Sequence, residues 1–184
     1  MTEGLDVSEL RSESVVFRLE LSDFGAFYER TYDTAYRTAL GIARDPALAA
    51  DVTQEAYVAA YRYRHRYRGD APSTAWLHRI VVNQALSALR RRRAAPVGDL
   101  SVWTTPDETG GAVARLALLQ ALDVLPARQR AAVILRYYHD YDYATIARIL
   151  NTTSTNVGAM LSRALDRLKA ALEPETGAVA RTGG

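Results

Sequence analysis

The residues in this chain that could do chemistry on a polyanion are arginines and tyrosines crowded between Asp51 and Arg93, in DVTQEAYVAAYRYRHRYRGDAPSTAWLHRIVVNQALSALRRRR. Asp51, Gln54 and Glu55 open the stretch as a small acidic and amide cluster, tyrosines and arginines alternate from Tyr61 to Arg68, and Arg90, Arg91, Arg92 and Arg93 close it. Aromatic rings offer flat faces to unpaired bases and guanidinium groups offer forked donors to phosphates, which is the pair of features single-stranded nucleic acid needs. A solvated basic face with tyrosines in the core fits the same composition equally well. Other chemistries find no support. His65, His78 and His139 are scattered, with no metal-ligand spacing, no nucleophile beside a base and no glycine-rich phosphate loop, so neither catalytic residues nor a metal or other cofactor is expected.

Those residues must be positioned by the rest of the 184-residue chain, which is 48% hydrophobic and carries a formal charge of only +2. A core for one or two small domains is therefore affordable, and the basic character is local rather than global. The absence of cysteine excludes a disulfide framework, a thiolate zinc site and a thiol switch. No apolar run reaches membrane-spanning length, and the acidic N-terminus MTEGLDVSELRSE lacks the basic opening of a signal peptide, so a cytoplasmic protein without membrane insertion is expected.

Residues 1–21 show no sustained period and read as a mobile arm. Ser22 or Asp23 can cap a helix whose Phe24, Phe27, Tyr28, Ala35, Ala39 and Ile42 form a core face. Asp45-Pro46 starts a second helix with Leu48, Val52, Ala56, Ala59 and Tyr63 inward. Asp51, Gln54, Glu55, Val58 and Arg62 share another face, either solvated or a dock for a basic partner. Arg62 with Arg66 and Arg64 with Arg68 are expected as two stripes further along the same helix. Gly69 to Pro72 breaks it, and Ser73 or Thr74 can cap a third helix running to about Arg93. Leu77, Val81, Ala85 and Ala88, widened by Val82, Leu86 and Leu89, make its apolar face, while Arg79, Asn83, Ser87 and Arg90 line a polar stripe that could lie along DNA. An asparagine amide offers donor and acceptor together, which suits a base edge.

Residues 94–111 carry two prolines and three glycines and read as a linker, with Trp103 as a potential anchor within it. Val113, Leu116, Leu119, Leu122 and Leu125 start a second helical domain, Pro126 ends that helix, and Val133, Ile134 and Leu135 lie in the next. Asp142 can then cap a short helix with Ile146, Ile149 and Leu150 inward. Asn151 and Thr152 make a turn, and Thr153 can cap a longer helix with Val157, Leu161, Leu165 and Leu168 inward. This is a helix-turn-helix pattern, and Ser154, Thr155, Asn156, Ala159, Ser162 and Arg163 are the candidates for major-groove contact. Residues 174–184 read as a free tail. The expected fold class is all-α, two small helical domains joined by a flexible linker.

Three further stretches carry a family resemblance. DPALAADVTQEAYVAAY resembles the D-x-x-Q-E-x-F/Y helix of extracytoplasmic-function (ECF) sigma factors of the sigma-70 family. YRGDAPSTAWLHRIVVN resembles their F-R-G-x-x-x-x-x-W-L-x-R-I-A-x-N stretch, and LPARQRAAVILRYY their L-P-x-x-x-R-x-x-x-x-L-R opening of region four. The resemblance implies region two at about 22–93 and region four at about 112–173. It implies that Asp51, Gln54 and Glu55 dock on the clamp helices of core RNA polymerase. Tyr67, Arg68, Trp76, Arg79 and Asn83 would capture the unpaired non-template strand of the promoter −10 element, with Arg90 to Arg93 holding phosphates nearby. Region four would read the −35 element and touch the polymerase flap, and an anti-sigma factor is a further partner in many members. The chain departs from the pattern at Gly158, Ala159 and Met160, where the family places a basic residue and then an arginine, and at Thr152, Thr145 and Arg64. Either reliance shifts toward the −10 element, or Gly158 and Ala159 let the helix sit closer to the groove. A stand-alone helix-turn-helix regulator or a degenerate sigma-like interaction protein is the alternative reading.

Overall fold

A computed structural model describes residues 23–69, 71–94 and 121–172, and the side chain of Arg93 is not among what it describes. The expected arm (1–21), the linker with Trp103 from residue 95 onward, Val113, Leu116 and Leu119, and the tail (174–184) lie outside these residues.

Among the described residues every regular element is helical. Helix α1, Phe24–Ala43, begins at Asp23, whose carboxylate accepts from the Ala26 amide at 3.1 Å, and stops at Arg44 in the left-handed region with φ 60°. Helix α2, Pro46–Tyr63, is capped by Asp45, which accepts from the Leu48 amide at 2.9 Å, and has its proline at the first helical position, where a missing N–H costs nothing. Phe27, Ala35, Ala39 and Ile42 of α1 meet Ala49, Val52, Ala56 and Ala60 of α2 and Leu77, Val81, Val82 and Ala85 of α3, Ser73–Ala94, in a three-helix core. Fully burying a Phe27 or a Leu77 contributes about 1.5–3 kcal/mol each.

Several sequence expectations are corrected here. Tyr63, expected inward, is half-exposed, and α2 ends there: Arg64–Arg66 form a 3-10 turn, so the two arginine stripes do not continue down one α-helix. Instead the guanidinium of Arg64 lies 3.9 Å from the Tyr61 ring centre and that of Arg66 5.2 Å from Tyr63, each cation over its own aromatic neighbour. Tyr28 is likewise exposed rather than core.

In the second half, residues 121–123 are helical and Pro126 precedes helix α4, Ala127–Tyr137. Arg130 is buried on α4 and donates to the Leu122 carbonyl at 3.3 Å, which gives the arginine of the LPARQR motif a structural role. Helix α5, Tyr143–Leu150, is capped by Asp142, and Asn151 at φ 50° closes it. The Asp142 carboxylate accepts from the Thr145 amide at 2.7 Å, and hydrogen bonding to Thr145 holds its pKa below the usual range. Helix α6, Ser154–Leu172, follows, with the Thr153 hydroxyl accepting from the Asn156 amide at 3.2 Å. Ile146, Ile149, Leu150, Val157, Leu161, Ala164 and Leu168 fill the core beneath this helix-turn-helix, whereas Leu165, expected inward, is exposed.

The two halves touch. Helix α1 packs on α4 and α3 packs on α5. At Gly41 of α1 a Cβ would come within 2.7 Å of Ile134 Cδ1, so the missing side chain permits the close approach of α1 to α4.

Candidate docking and nucleic-acid surfaces

Asp51, Gln54, Glu55, Val58 and Arg62 all project from the exposed face of α2, as the helical spacing requires. Beside them lies a cavity of about 600 Å3 that helical spacing does not foretell, lined by Phe24, Tyr28 and Tyr32 of α1 and Gln54, Tyr57 and Tyr61 of α2. Its rings form a chain of close contacts: Tyr28 to Tyr57 at 4.7 Å, Tyr28 to Tyr32 at 5.1 Å and Phe24 to Tyr61 at 5.3 Å between centroids. Tyr57 anchors the floor. Its hydroxyl and that of Thr31 are 2.7 Å apart, Thr31 donates to the Phe27 carbonyl, and burial pushes the Tyr57 phenol up to about 12. The surface therefore combines a carboxylate and amide row with an aromatic trough. Such a combination suits a protein partner presenting basic and apolar side chains together. Its aromatic half was missed because helical spacing places Tyr28 on the core side without saying how far the core extends.

The second surface sits around the α2–α3 connection. Tyr67, expected as an open ring for base stacking, is instead buried at 6% exposure. Its hydroxyl donates to the Ala71 carbonyl and its ring lies 5.5 Å from that of Trp76, so it props the turn and the half-buried indole. Arg68, Arg79 and Asn83 stand exposed, the latter two one helical turn apart on α3. Arg90 continues that stripe and donates to Ser87 at 2.7 Å, and Arg91 is exposed beyond it. Arg92 departs from the expected phosphate-binding row: its guanidinium is paired with Asp45, the α2 cap, and the Leu48 amide first and Arg92 second hold that carboxyl below the usual range.

On α6, Ser154, Thr155, Asn156, Ala159, Ser162 and Arg163 are all exposed, a continuous polar face at the start of the second helix of the motif. The Asn156 amide donates to Thr152 Oγ1 at 2.7 Å, which fixes its plane. Met160 occupies the position where the family pattern has an arginine, and it is buried in the core at 5% exposure. Gly158 faces Tyr143: a Cβ there would sit 3.5 Å from the ring, so an aromatic edge from α5 borders the place where a basic side chain would stand.

The histidines are not all scattered. His78 and His139, far apart in the chain, bring their rings to 3.9 Å between α3 and the end of α4. Sequence spacing carries no signal for this, because it arises from packing between the halves. Burial, reinforced for His78 by its neighbour, pulls His78 down to about 3 and His139 to about 4, so both are neutral at ordinary pH. Among the described residues no three His, Asp or Glu side chains cluster as a metal site, and no helix is long and apolar enough to cross a membrane.

Comparison with known proteins matches residues 27–95 to the family described as Sigma-70 region 2 and residues 115–168 to Sigma-70, region 4. The ECF RNA polymerase sigma factor SigM of Mycobacterium tuberculosis is 36% identical over 146 residues, covering 79% of this chain and 74% of SigM. The RNA polymerase sigma-E factor of Streptomyces antibioticus is 30% identical over 159 residues, covering 84% of this chain and 87% of that one. Among solved structures, the sigma factor RpoE in complex with the anti-sigma factor NepR from Bartonella quintana superposes with a TM-score of 0.71 at 22% identity, over 83% of this chain and 98% of that one. CnrH in complex with the cytosolic domain of CnrY gives a TM-score of 0.65 at 23% identity, over 87% and 97%.

Proposed function

This chain belongs to the ECF group of the sigma-70 family, and from that premise we propose how its surfaces divide the work of starting transcription. As a sigma factor it binds core RNA polymerase and directs promoter recognition. In our reading region two spans 22–93 and region four 112–173, with residues 94–111 as the linker and 1–21 and 174–184 as flanking arms. Asp51, Gln54 and Glu55 dock on the clamp helices, and the aromatic trough from Phe24 to Tyr61 receives the apolar part of the same partner.

Opening the −10 element requires a base to leave the stack, at a cost of a few kcal/mol. Stacking on an aromatic ring returns about 1–3 kcal/mol per base. Trp76 supplies that face, Tyr67 acts as the prop that fixes it, and Asn83 reads the extruded base edge. Arg68, Arg79, Arg90 and Arg91 hold phosphates, which sets register without reading sequence. Arg92 first holds the α2 cap, and Arg93 extends the basic end of the helix.

Ser154, Thr155, Asn156, Ala159, Ser162 and Arg163 face the −35 element, with only Arg163 cationic among them. Discrimination therefore leans on the −10 element. Region four also reaches the flap, the linker passes near the active-site channel, and an anti-sigma factor, the partner class named for the RpoE relative, is a partner of this chain. The factor acts by binding alone, without turnover, in the cytoplasm beside polymerase.

The observation that carries this reading is that the α2 face and the α3 stripe are exposed together on one rigid three-helix unit, so one domain can hold polymerase and single-stranded DNA at once. Run-off transcription with purified core polymerase, with and without the chain, tests it. Specific transcripts that require the chain support the assignment. No transcript from any promoter, despite tight polymerase binding, refutes it.

A further inference from the structure

Resting on the reading of the α2 face as the polymerase dock, we propose that the aromatic trough beside that face is filled, in the free chain, by the chain's own residues 16–21, VFRLEL, so that this segment and polymerase compete for one surface. Tyr28, Tyr32, Val58 and Tyr61 are all exposed along the trough, next to half-buried Phe24 and the buried Tyr57 floor. A contiguous run of exposed apolar side chains marks a surface that something covers. The Tyr57 hydroxyl is already engaged with Thr31, so the floor presents ring surface rather than a free phenol. The rings meet steeply, Phe24 with Tyr57 at 80°, Phe24 with Tyr61 at 74° and Tyr28 with Tyr57 at 64°, which leaves recesses between them for branched and aromatic side chains.

The segment ends where the trough begins. Phe24 closes one end of the trough, and only Ser22 and Asp23 separate Leu21 from it. Helices α1 and α2 run antiparallel here, with Tyr61 beside Phe24 and Tyr57 beside Tyr28 and Tyr32. A chain that turns back at Ser22 therefore enters at the Arg62 end and runs toward Gln54. From Phe24 to Tyr32 the helix rises about 12 Å, and Phe17 to Leu21 laid extended spans about 13 Å. The arm as a whole has no sustained period, but these residues alternate, with Phe17, Leu19 and Leu21 on one side and Arg18 and Glu20 on the other. With the apolar side on the rings, Glu20 comes level with Arg62 and Arg18 approaches Glu55, so opposite charges meet twice. The Gln54 amide at the rim offers donor and acceptor to the segment's backbone.

Competition follows from shared residues. Gln54, Val58 and Arg62 line the trough and also belong to the exposed α2 face, so a filled trough covers part of the dock. The short tether holds the segment at an effective concentration on the order of millimolar, which makes it the first occupant before any partner arrives. Polymerase binds only after the segment leaves, and its apparent affinity is reduced by the fraction of chain whose trough is filled.

Disulfide trapping in the full-length chain tests the filling without polymerase. Leu19→Cys/Val58→Cys is oxidised and the intrachain bond read by mass spectrometry; Val58 is exposed, so its substitution leaves the core untouched. Glu29, exposed on α1 beside Tyr28 but outside the trough, gives the control pair Leu19→Cys/Glu29→Cys, which measures tethering alone. With the trough about nine-tenths filled, the Val58 bond should form about tenfold faster than the Glu29 bond, which forms only in the unfilled remainder. Adding Phe17→Asp/Leu21→Asp should erase the difference. In the chain without cysteines the same Phe17→Asp/Leu21→Asp pair should raise apparent affinity for core polymerase about tenfold. Equal rates for the two cysteine pairs overturn the filling, and a disulfide-linked dimer in place of the intrachain bond overturns it in favour of a second copy. Unchanged or weaker polymerase affinity in Phe17→Asp/Leu21→Asp overturns the competition. Trapping is independent of polymerase, so a chain whose trough fills but which binds no polymerase in either form refutes the sigma-factor reading, and the competition with it, while the filling stands.

Discussion

Acidification should part the two halves, turning the closed form, in which α1 packs on α4 and α3 on α5, into an open one, and the structure sets the size of the effect. His78 and His139 are pulled well below the ordinary 6.5, to about 3 and about 4, chiefly by burial between the domains. In the open form both rings meet water and return toward 6.5, so the open form binds more protons at mildly acidic pH. Closure is thus fully favoured above about pH 6.5 and weakens as pH falls from there toward 4. At pH 5 each fully shifted histidine disfavours closure by about 2 kcal/mol. His139 is partly exposed, so solvent screening cuts its share to about half, for a total of about 3 kcal/mol. The closed-to-open ratio should therefore drop about a hundredfold between pH 7.5 and pH 5. Because the chain has no cysteine, an Ala47→Cys/Ala170→Cys variant carrying one donor and one acceptor dye on these exposed positions reads it by energy transfer over this range. His78→Gln/His139→Gln keeps amide donors and acceptors in place but cannot titrate, and should flatten the response. A flat profile in the unmodified chain, or an equal slope in the double variant, would rule out this histidine pair as the titrating group.

Three other predictions address the proposed surfaces and the helices. Asn83→Ala should cost about 1–3 kcal/mol at one −10 base and little elsewhere, measured as holoenzyme affinity across single-base promoter variants; equal losses at every position would count against a base-reading role. Asp51→Arg or Glu55→Arg should abolish capture of core polymerase in a polarisation assay while leaving the thermal midpoint nearly unchanged, because both side chains are exposed. Gly158→Ala should stabilise region four by about 0.5–1 kcal/mol in denaturant unfolding, since the added methyl meets the Tyr143 ring at an ordinary 3.5 Å and the helix gains propensity; destabilisation would mean the Tyr143 contact is tighter than drawn.

Local features were legible in the sequence because local chemistry decides them. Asp23, Asp45, Asp142 and Thr153 each cap the helix their position announces, and the Asn151 turn and the α3 apolar face follow from turn propensity and helical period. The failures share one cause. Periodicity gives the angle of a side chain about its helix, but not where the packed neighbour ends, so it places Tyr28, Tyr63 and Leu165 in a core that stops short of them. Tyr67 failed in the opposite sense, because the turn that folds over it is a tertiary feature. Pairings such as His78 with His139 and Arg44 with Asp123 depend on how two domains meet, for which neither spacing nor composition holds a signal. The motif resemblance proposes roles for the α2 face, the α3 stripe and the start of α6, all of which stand exposed, whereas the aromatic trough beside Asp51 to Glu55 emerges only when α1 is laid against α2.

Whether region two carries most of the promoter discrimination, as we propose, can be read from run-off transcription with purified core polymerase on a library randomised at both the −10 and −35 elements. Transcripts should be strongly enriched for one −10 sequence and only weakly for any −35 sequence, with Asn83→Ala erasing the preference at a single −10 position. Strong −35 enrichment with an indifferent −10 element would instead place the discrimination in region four.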